Sequence, residues 1–236
     1  MLVACNDKTI NDDILAISLV EKYQISINEP SGLTYNIHDE LLYVVSDKSP
    51  AKIYTINTHG ELLDSLEYFG NDLEAIVHNK IDSTFWISEE SLLQLVKINH
   101  DGNEIYRIDL DFLPNSFQDI RIEGLGINYN SNSLYLINEK NPGAVIEIDL
   151  SSLILKDIIY LDFASDYSGA HYSENDDTLI IISDEDSKVF FWKFRDGIIN
   201  SFDLSQIKAE GISIYDNHMY IINEGNNILY EYLIIN

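Results

Sequence analysis

One short pattern recurs five times along this chain, and few folds can accommodate it. It reads Ser31-Gly32-Leu33, Glu74-Ala75-Ile76, Glu123-Gly124-Leu125, Ser168-Gly169-Ala170 and Glu210-Gly211-Ile212, at intervals of 42 to 49 residues. A second pattern follows each one: Leu42-Tyr43-Val44-Val45-Ser46-Asp47, Thr84-Phe85-Trp86-Ile87-Ser88-Glu89, Leu134-Tyr135-Leu136-Ile137-Asn138-Glu139, Leu179-Ile180-Ile181-Ile182-Ser183-Asp184 and Met219-Tyr220-Ile221-Ile222-Asn223-Glu224. All five are apolar runs of strand length that close on Ser or Asn and then a carboxylate. A third run follows in every unit. In four units a turn such as Thr58-His59-Gly60, His100-Asp101-Gly102 or Arg195-Asp196-Gly197 then leads to a fourth. Gly-bearing turns between β-rich runs are hairpin signals.

Each unit therefore reads as four antiparallel strands, and fixed-period units of this kind are propeller blades. The expected fold is all-β, a five-bladed propeller over residues 14–236, with residues 1–13 as an N-terminal tail. The fifth unit ends after its third strand. Residues 14–25 supply the missing fourth, which closes the ring and removes an exposed sheet edge. The small second residue of each first motif (Gly32, Ala75, Gly124, Gly169, Gly211) fits first strands that converge on the propeller axis.

Composition narrows the partners. There are 14 Lys and Arg against 40 Asp and Glu, a net charge of −26. Such a surface repels phosphate backbones, so nucleic acid is not an expected partner, and cations are favoured. No run reaches the roughly 18 apolar residues of a membrane helix, so no transmembrane segment is expected. The single Cys forms no internal disulfide.

In an antiparallel blade the start of strand one lies beside the end of strand two. Glu74, Glu123 and Glu210 at strand-one starts, and Asp47, Glu89, Glu139, Asp184 and Glu224 at strand-two ends, are thus expected around one mouth of the channel. Clustered carboxylates raise one another's pKa values unless something positive sits among them. Oxygen-only ligation suits Ca²⁺ first and Mg²⁺ second, whereas zinc prefers His and Cys. The inner glutamates have a second reading, as acceptors of backbone N–H bonds from neighbouring blades. Inter-blade loops share this face, the longest being 111–121, with 162–167 another. Their Phe112, Phe117 and Tyr167 either face a small-molecule or protein ligand or cap the core.

The opening Leu2-Val3-Ala4-Cys5 is similar to a bacterial lipobox, in which Cys is lipidated after signal cleavage. It carries the expectation of a cell-envelope location, periplasm or outer membrane, with Cys5 as lipid anchor and the polar run behind it as tether. The alternative is an ordinary tail with an incidental thiol.

Pro30-Ser31-Gly32-Leu33-Thr34-Tyr35, Tyr43-Val44-Val45-Ser46-Asp47 and the Glu-Gly/Ala-Ile/Leu motif at Glu74, Glu123 and Glu210 together resemble the SdiA-regulated, YjiK-like bacterial propellers. NHL-type propellers carry similar single motifs, so the ordered series of five is what makes the match specific. The resemblance implies a five-bladed envelope propeller with a calcium site and no established activity. It implies Glu74, Glu123 and Glu210 as inner ligands, with the strand-two carboxylates behind them. Two functions follow: a calcium-binding interaction module, or a metal-dependent hydrolase of the phytase-like esterase or lactonase type. A carboxylate-held metal can activate water, but the sequence shows no nucleophile elbow or Ser-His-Asp arrangement.

Overall fold

The computed structural model describes residues 16–205 and 207–235. The expected tail and Cys5 lie outside the described residues. The chain opens with β1 (Ala16–Gln24) and then runs through four complete blades. Blade one is β2 (Pro30–Asn36), β3 (Leu41–Ser46), β4 (Ala51–Ile56) and β5 (Leu62–Gly70). Blade two is β6 (Leu73–Asn79), β7 (Thr84–Glu89), β8 (Gln94–Ile98) and β9 (Glu104–Asp109). Blade three comprises β10 (Ile122–Asn128), β11 (Ser133–Asn138), β12 (Ala144–Asp149) and β13 (Leu155–Tyr160). Blade four comprises β14 (Gly169–Ser173), β15 (Thr178–Ser183), β16 (Lys188–Lys193) and β17 (Gly197–Asp203). The last blade holds β18 (Ala209–Tyr215), β19 (His218–Asn223) and β20 (Ile228–Ile235), and its outer strand is β1.

β1 pairs with β20 antiparallel, from Ala16 opposite Ile235 to Gln24 opposite Ile228. The five-bladed propeller and its N-terminal closure are thus as the repeat requires. Every second strand is buried or nearly so along its whole length, because each blade face is covered by a neighbouring blade. That is why those strands read as continuous apolar runs. Fourth strands such as β5 and β17 are mostly exposed and correspondingly mixed in sequence.

The apolar core is divided into five clusters, one in each seam between blades. Trp86 and Leu95 meet Ile122 and Leu136 between blades two and three, for example, and Leu33 and Val44 meet Tyr220 and Leu229 where blade one closes on blade five. At the axis the first strands approach almost too closely for any side chain. A Cβ on Gly32 would lie 2.6 Å from the Glu74 carbonyl oxygen, and one on Gly211 would lie 2.7 Å from Leu33 N and Ser31 O. The expected hairpin glycines Gly60, Gly102 and Gly197 all take positive φ, of 77°, 91° and 74°.

The inter-blade loops close over the core. Phe117 and Tyr167 are buried, and Phe112 packs against the seam between blades two and three. The Tyr167 hydroxyl accepts hydrogen bonds from the N–H groups of Phe163 (3.1 Å) and Ala164 (3.2 Å). These aromatics cap the core.

Because β1 is the outer partner of β20, deleting residues 1–24 should leave β20 as an open edge. The expected outcome is aggregation or loss of a cooperative melt, read by size-exclusion chromatography and thermal circular dichroism. A truncated chain that melts like the full one would refute the closure.

Candidate metal centre at the acidic mouth

The inner glutamates, Glu74, Glu123 and Glu210, sit at equivalent places at the starts of β6, β10 and β18, each half-buried. Among the described residues none of them accepts a backbone N–H bond. The tie between blades is made elsewhere: Ser168 Oγ donates to the Ala209 carbonyl at 2.6 Å, and Ser88 Oγ to that of Ile122 at 2.6 Å. Ser31, in the glutamate-free first blade, hydrogen-bonds the Glu74 carboxylate.

The outer carboxylates follow the expected pattern in four blades and break it in one. Pairing sets Ser46 opposite Pro30, Asn138 opposite Ile122 and Asn223 opposite Ala209. In blade two the residue opposite Leu73 is Glu89 itself. Glu89 therefore occupies the Ser/Asn position, and the residue in the carboxylate position is Glu90. Its N–H donates to the Asp72 carbonyl (2.9 Å), as Asp47 N–H does to Glu29 (3.3 Å) and Glu139 N–H to Arg121 (2.9 Å). Ser-Glu-Glu reads equally well in either register, and a one-residue slip moves each side chain to the opposite side. Glu89 is turned inward and only 1% exposed. It accepts from Tyr68 Oη of β5 in blade one (2.5 Å) and from Arg107 of β9 in blade two (2.7 Å), and so is committed to the seam between the two blades.

The residues two positions before each inner site are Glu29, Asp72, Arg121, Asp166 and Lys208. Arg121 reaches Glu90 (3.7 Å) and Glu139 (3.6 Å), while Lys208 lies 3.6 Å from Asp184. Lys140 pairs with Glu139 at 2.7 Å, and Asp166 accepts from Ser183 Oγ. Charge is thus partly offset over blades three to five. At the seam of blades one and two none of Asp47, Asp72 and Glu74 has an ion pair among the described residues, Lys48 being taken by Glu29 (2.6 Å). There Asp47, Asp72 and Glu74 each offer an oxygen, and these atoms lie within 4.8 Å of one another. Asp47 Oδ1 is buried without a hydrogen-bond partner. Asp72 and Glu90 were not among the carboxylates expected from sequence. Asp-x-Glu in Asn71-Asp72-Leu73-Glu74 is the signal that could have found Asp72.

Burial is the main cause of a marked rise in the carboxyl pKa values. Glu74 is pushed up to about 8 by burial and by the charges of Glu90, Asp47 and Asp72, against the Ser31 hydrogen bond. Glu210 reaches about 9 through burial and then Asp184, Glu224 and Glu74. Glu123 is raised well above the ordinary range by burial, Glu74, Glu90 and Glu210. Asp47 rises to about 6 through burial and Glu29, Glu224 and Asp72. Arg121 counteracts the rise at Glu90. An all-oxygen donor set at this spacing fits a cation that binds oxygens at about 2.3–2.6 Å.

The SdiA-regulated family profile matches residues 14–232. The chain belongs to the SdiA-regulated family. No curated protein sequence matches it. Among solved structures, this family member is similar to the glutaminyl cyclase of Myxococcus xanthus, with a TM-score of 0.70 at 9% identity, over 93% of this chain and 97% of that one. It is similar to a chain of the nidogen/laminin complex, with a TM-score of 0.61 at 12% identity, over 82% and 72%. A streptogramin B lyase aligns with a TM-score of 0.50 at 14% identity, over 95% and 76%. At these identities the likeness is one of fold alone.

Two outcomes are expected for this SdiA-regulated propeller. Arg107→Met leaves the buried Glu89 carboxylate with Tyr68 as its remaining partner and should cost about 3 kcal/mol, read from the denaturation midpoint. The second concerns pH. Glu74 and Glu210 have folded pKa values of about 8 and 9 against the ordinary 4.5, so between those limits the native state binds more protons than the unfolded chain. Stability in chelator should therefore be highest near pH 5 and fall as pH rises toward 9. A chelated protein whose melting temperature stays level or climbs from pH 5 to 9 would contradict these pKa values.

Proposed function

We propose that this propeller is a calcium-binding interaction module whose cation sits at the acidic mouth, held by Asp47, Asp72 and Glu74. The observation that carries this reading is the convergence of their three oxygens at a seam where, among the described residues, no Lys or Arg pairs with any of the three. The unpartnered Asp47 Oδ1 supports it. Glu123 and Glu210 stand behind as further oxygen donors, and Glu90 replaces Glu89 in the outer set. When bound, the ion offsets the mutual repulsion of these carboxylates and locks blades one and two together, leaving the loop-rich face as the surface for a small-molecule or protein partner. An envelope location, with attachment through Cys5, rests on Leu2-Val3-Ala4-Cys5. Radiolabelled palmitate incorporation that disappears in Cys5→Ala tests it.

One observation favours a second reading, hydrolysis of an ester, lactone or phosphate ester. Glu210, with its pKa of about 9, is a protonated carboxyl at neutral pH and so a candidate general acid beside a metal. Against phosphate substrates, Arg121, Lys140 and Lys208 are already paired with carboxylates. A screen of ester, lactone and phosphate-ester substrates with and without Ca²⁺ separates the two readings.

If Ca²⁺ binds only the folded ring, a hundredfold excess over Kd adds about 2.7 kcal/mol. For a chain of this size that is roughly 5–10 °C in Tm. Asp72→Asn and Glu74→Gln should abolish most of that gain, yet be neutral or stabilising in chelator at pH 8, because each removes one repelling charge. Glu89→Gln should destabilise equally in both buffers. A wild-type Tm that does not respond to millimolar Ca²⁺ would refute the proposal.

A further inference from the structure

The channel is not a continuous pore. Its neck, between Gly32, Ala75, Gly124, Gly169 and Gly211, encloses about 10 Å³, room for roughly one water. Beyond the neck, at the mouth opposite the carboxylates, it widens into a half-open cavity of about 370 Å³ lined by the ends of the first strands and the turns that follow them. That volume is at the small end of the range that takes organic ligands.

Four tyrosines, Tyr35, Tyr129, Tyr172 and Tyr215, are among the lining residues. Tyr35 of blade one and Tyr215 of blade five stack with centroids 4.2 Å apart and planes at 19°, and both rings remain part-exposed. Tyr129 of blade three adds a third ring to the lining. The charged groups at the rim are largely satisfied. Lys80 reaches from blade two to Glu174 of blade four at 2.5 Å, passing over the Tyr129 ring at 4.7 Å. Asp216 adds a further negative charge at the edge.

Among the described residues two histidine nitrogens of the lining have no hydrogen-bond partner, the buried His78 Nε2 and His171 Nε2. His171 Nδ1 accepts the Ile214 N–H at 3.4 Å, which leaves the proton of the neutral ring on Nε2. Nε2 makes no hydrogen bond among the described residues. Burial lowers the His171 pKa to about 4, so the ring stays neutral at physiological pH and offers one N–H donor.

We infer that this cavity is a second ligand site, for a neutral planar aromatic or heteroaromatic molecule carrying a hydrogen-bond acceptor. The flat part of the ligand stacks on the Tyr35–Tyr215 wall, and its acceptor takes the His171 Nε2–H. Anions are disfavoured, because among the described residues the one Lys of the lining, Lys80, is paired with Glu174 and the chain carries a charge of −26. A lining donor of this kind discriminates strongly against ligands that lack the matching acceptor.

The probe is the neutral dye prodan, a planar naphthalene with a ketone acceptor, titrated into the full chain. A saturable blue shift of one dye per chain is expected, with anionic anilinonaphthalene sulfonate giving none. Tyr215→Ala and His171→Phe should each weaken prodan at least tenfold while keeping a cooperative melt. If His171→Phe does not fold, Tyr215→Ala alone decides. Asp203→Asn, on the exposed outer strand of blade four, should leave the dye affinity unchanged. Absence of a saturable shift, equal binding by Tyr215→Ala, or sulfonate binding as strong as prodan binding would overturn the inference.

Discussion

The Gly32 backbone packs against the backbone of Glu74 and Ala75, and the Gly169 backbone packs the same way against Glu210. Close approach at the axis is the constraint on which the rest depends. Five strands can meet there only if almost nothing projects between them, and the glycines and Ala75 meet that demand. The same contact fixes the inner glutamates. The residue that allows the approach in one blade lies against the carbonyl of the glutamate in the next, so their positions follow from the ring's own packing. Packing contributes the apolar seams, and it leaves three carboxylates facing one another across the channel mouth.

That mouth is costly in electrostatic terms, and the chain manages the cost unevenly. Arg121, Lys140 and Lys208 offset charge over blades three to five, and Ser31 and Ser168 replace glutamate in two blades. The buried carboxyls also respond by holding their protons more tightly, as Glu74 and Glu210 do. A protonated carboxyl and a cation-bound carboxylate are alternative solutions to the same repulsion. This is why pH and divalent ions are expected to act on the same residues.

The opposite mouth has the contrary chemistry. Its tyrosines and neutral histidine lie a few residues along the same first strands, past a neck too narrow for more than about one water. One set of strands thus carries carboxylates at its beginnings and aromatic surface at its ends. The ion proposed for one end and the neutral ring system proposed for the other place no conflicting demand on any residue.

The number of blades, the strand content of each and the closing role of the N-terminal strand were all legible in the sequence, because covered strands must be apolar throughout and the repeat keeps its phase. The inner glutamates were legible for the same reason, since they stand next to the glycines that mark the axis. Glu89 was not correctly readable: Ser88-Glu89-Glu90 fits two registers, and only the pairing of Leu73 with Glu89 shows that Glu90 takes the rim position. Asp72 and Asp47 belong to different blades, and Lys80 and Glu174 to blades that are not adjacent in sequence. Periodicity tells which residues share a level of the propeller, because it follows from backbone geometry. Which side chains touch across a seam or a mouth depends on how twisted sheets pack, and only the tertiary structure decides that.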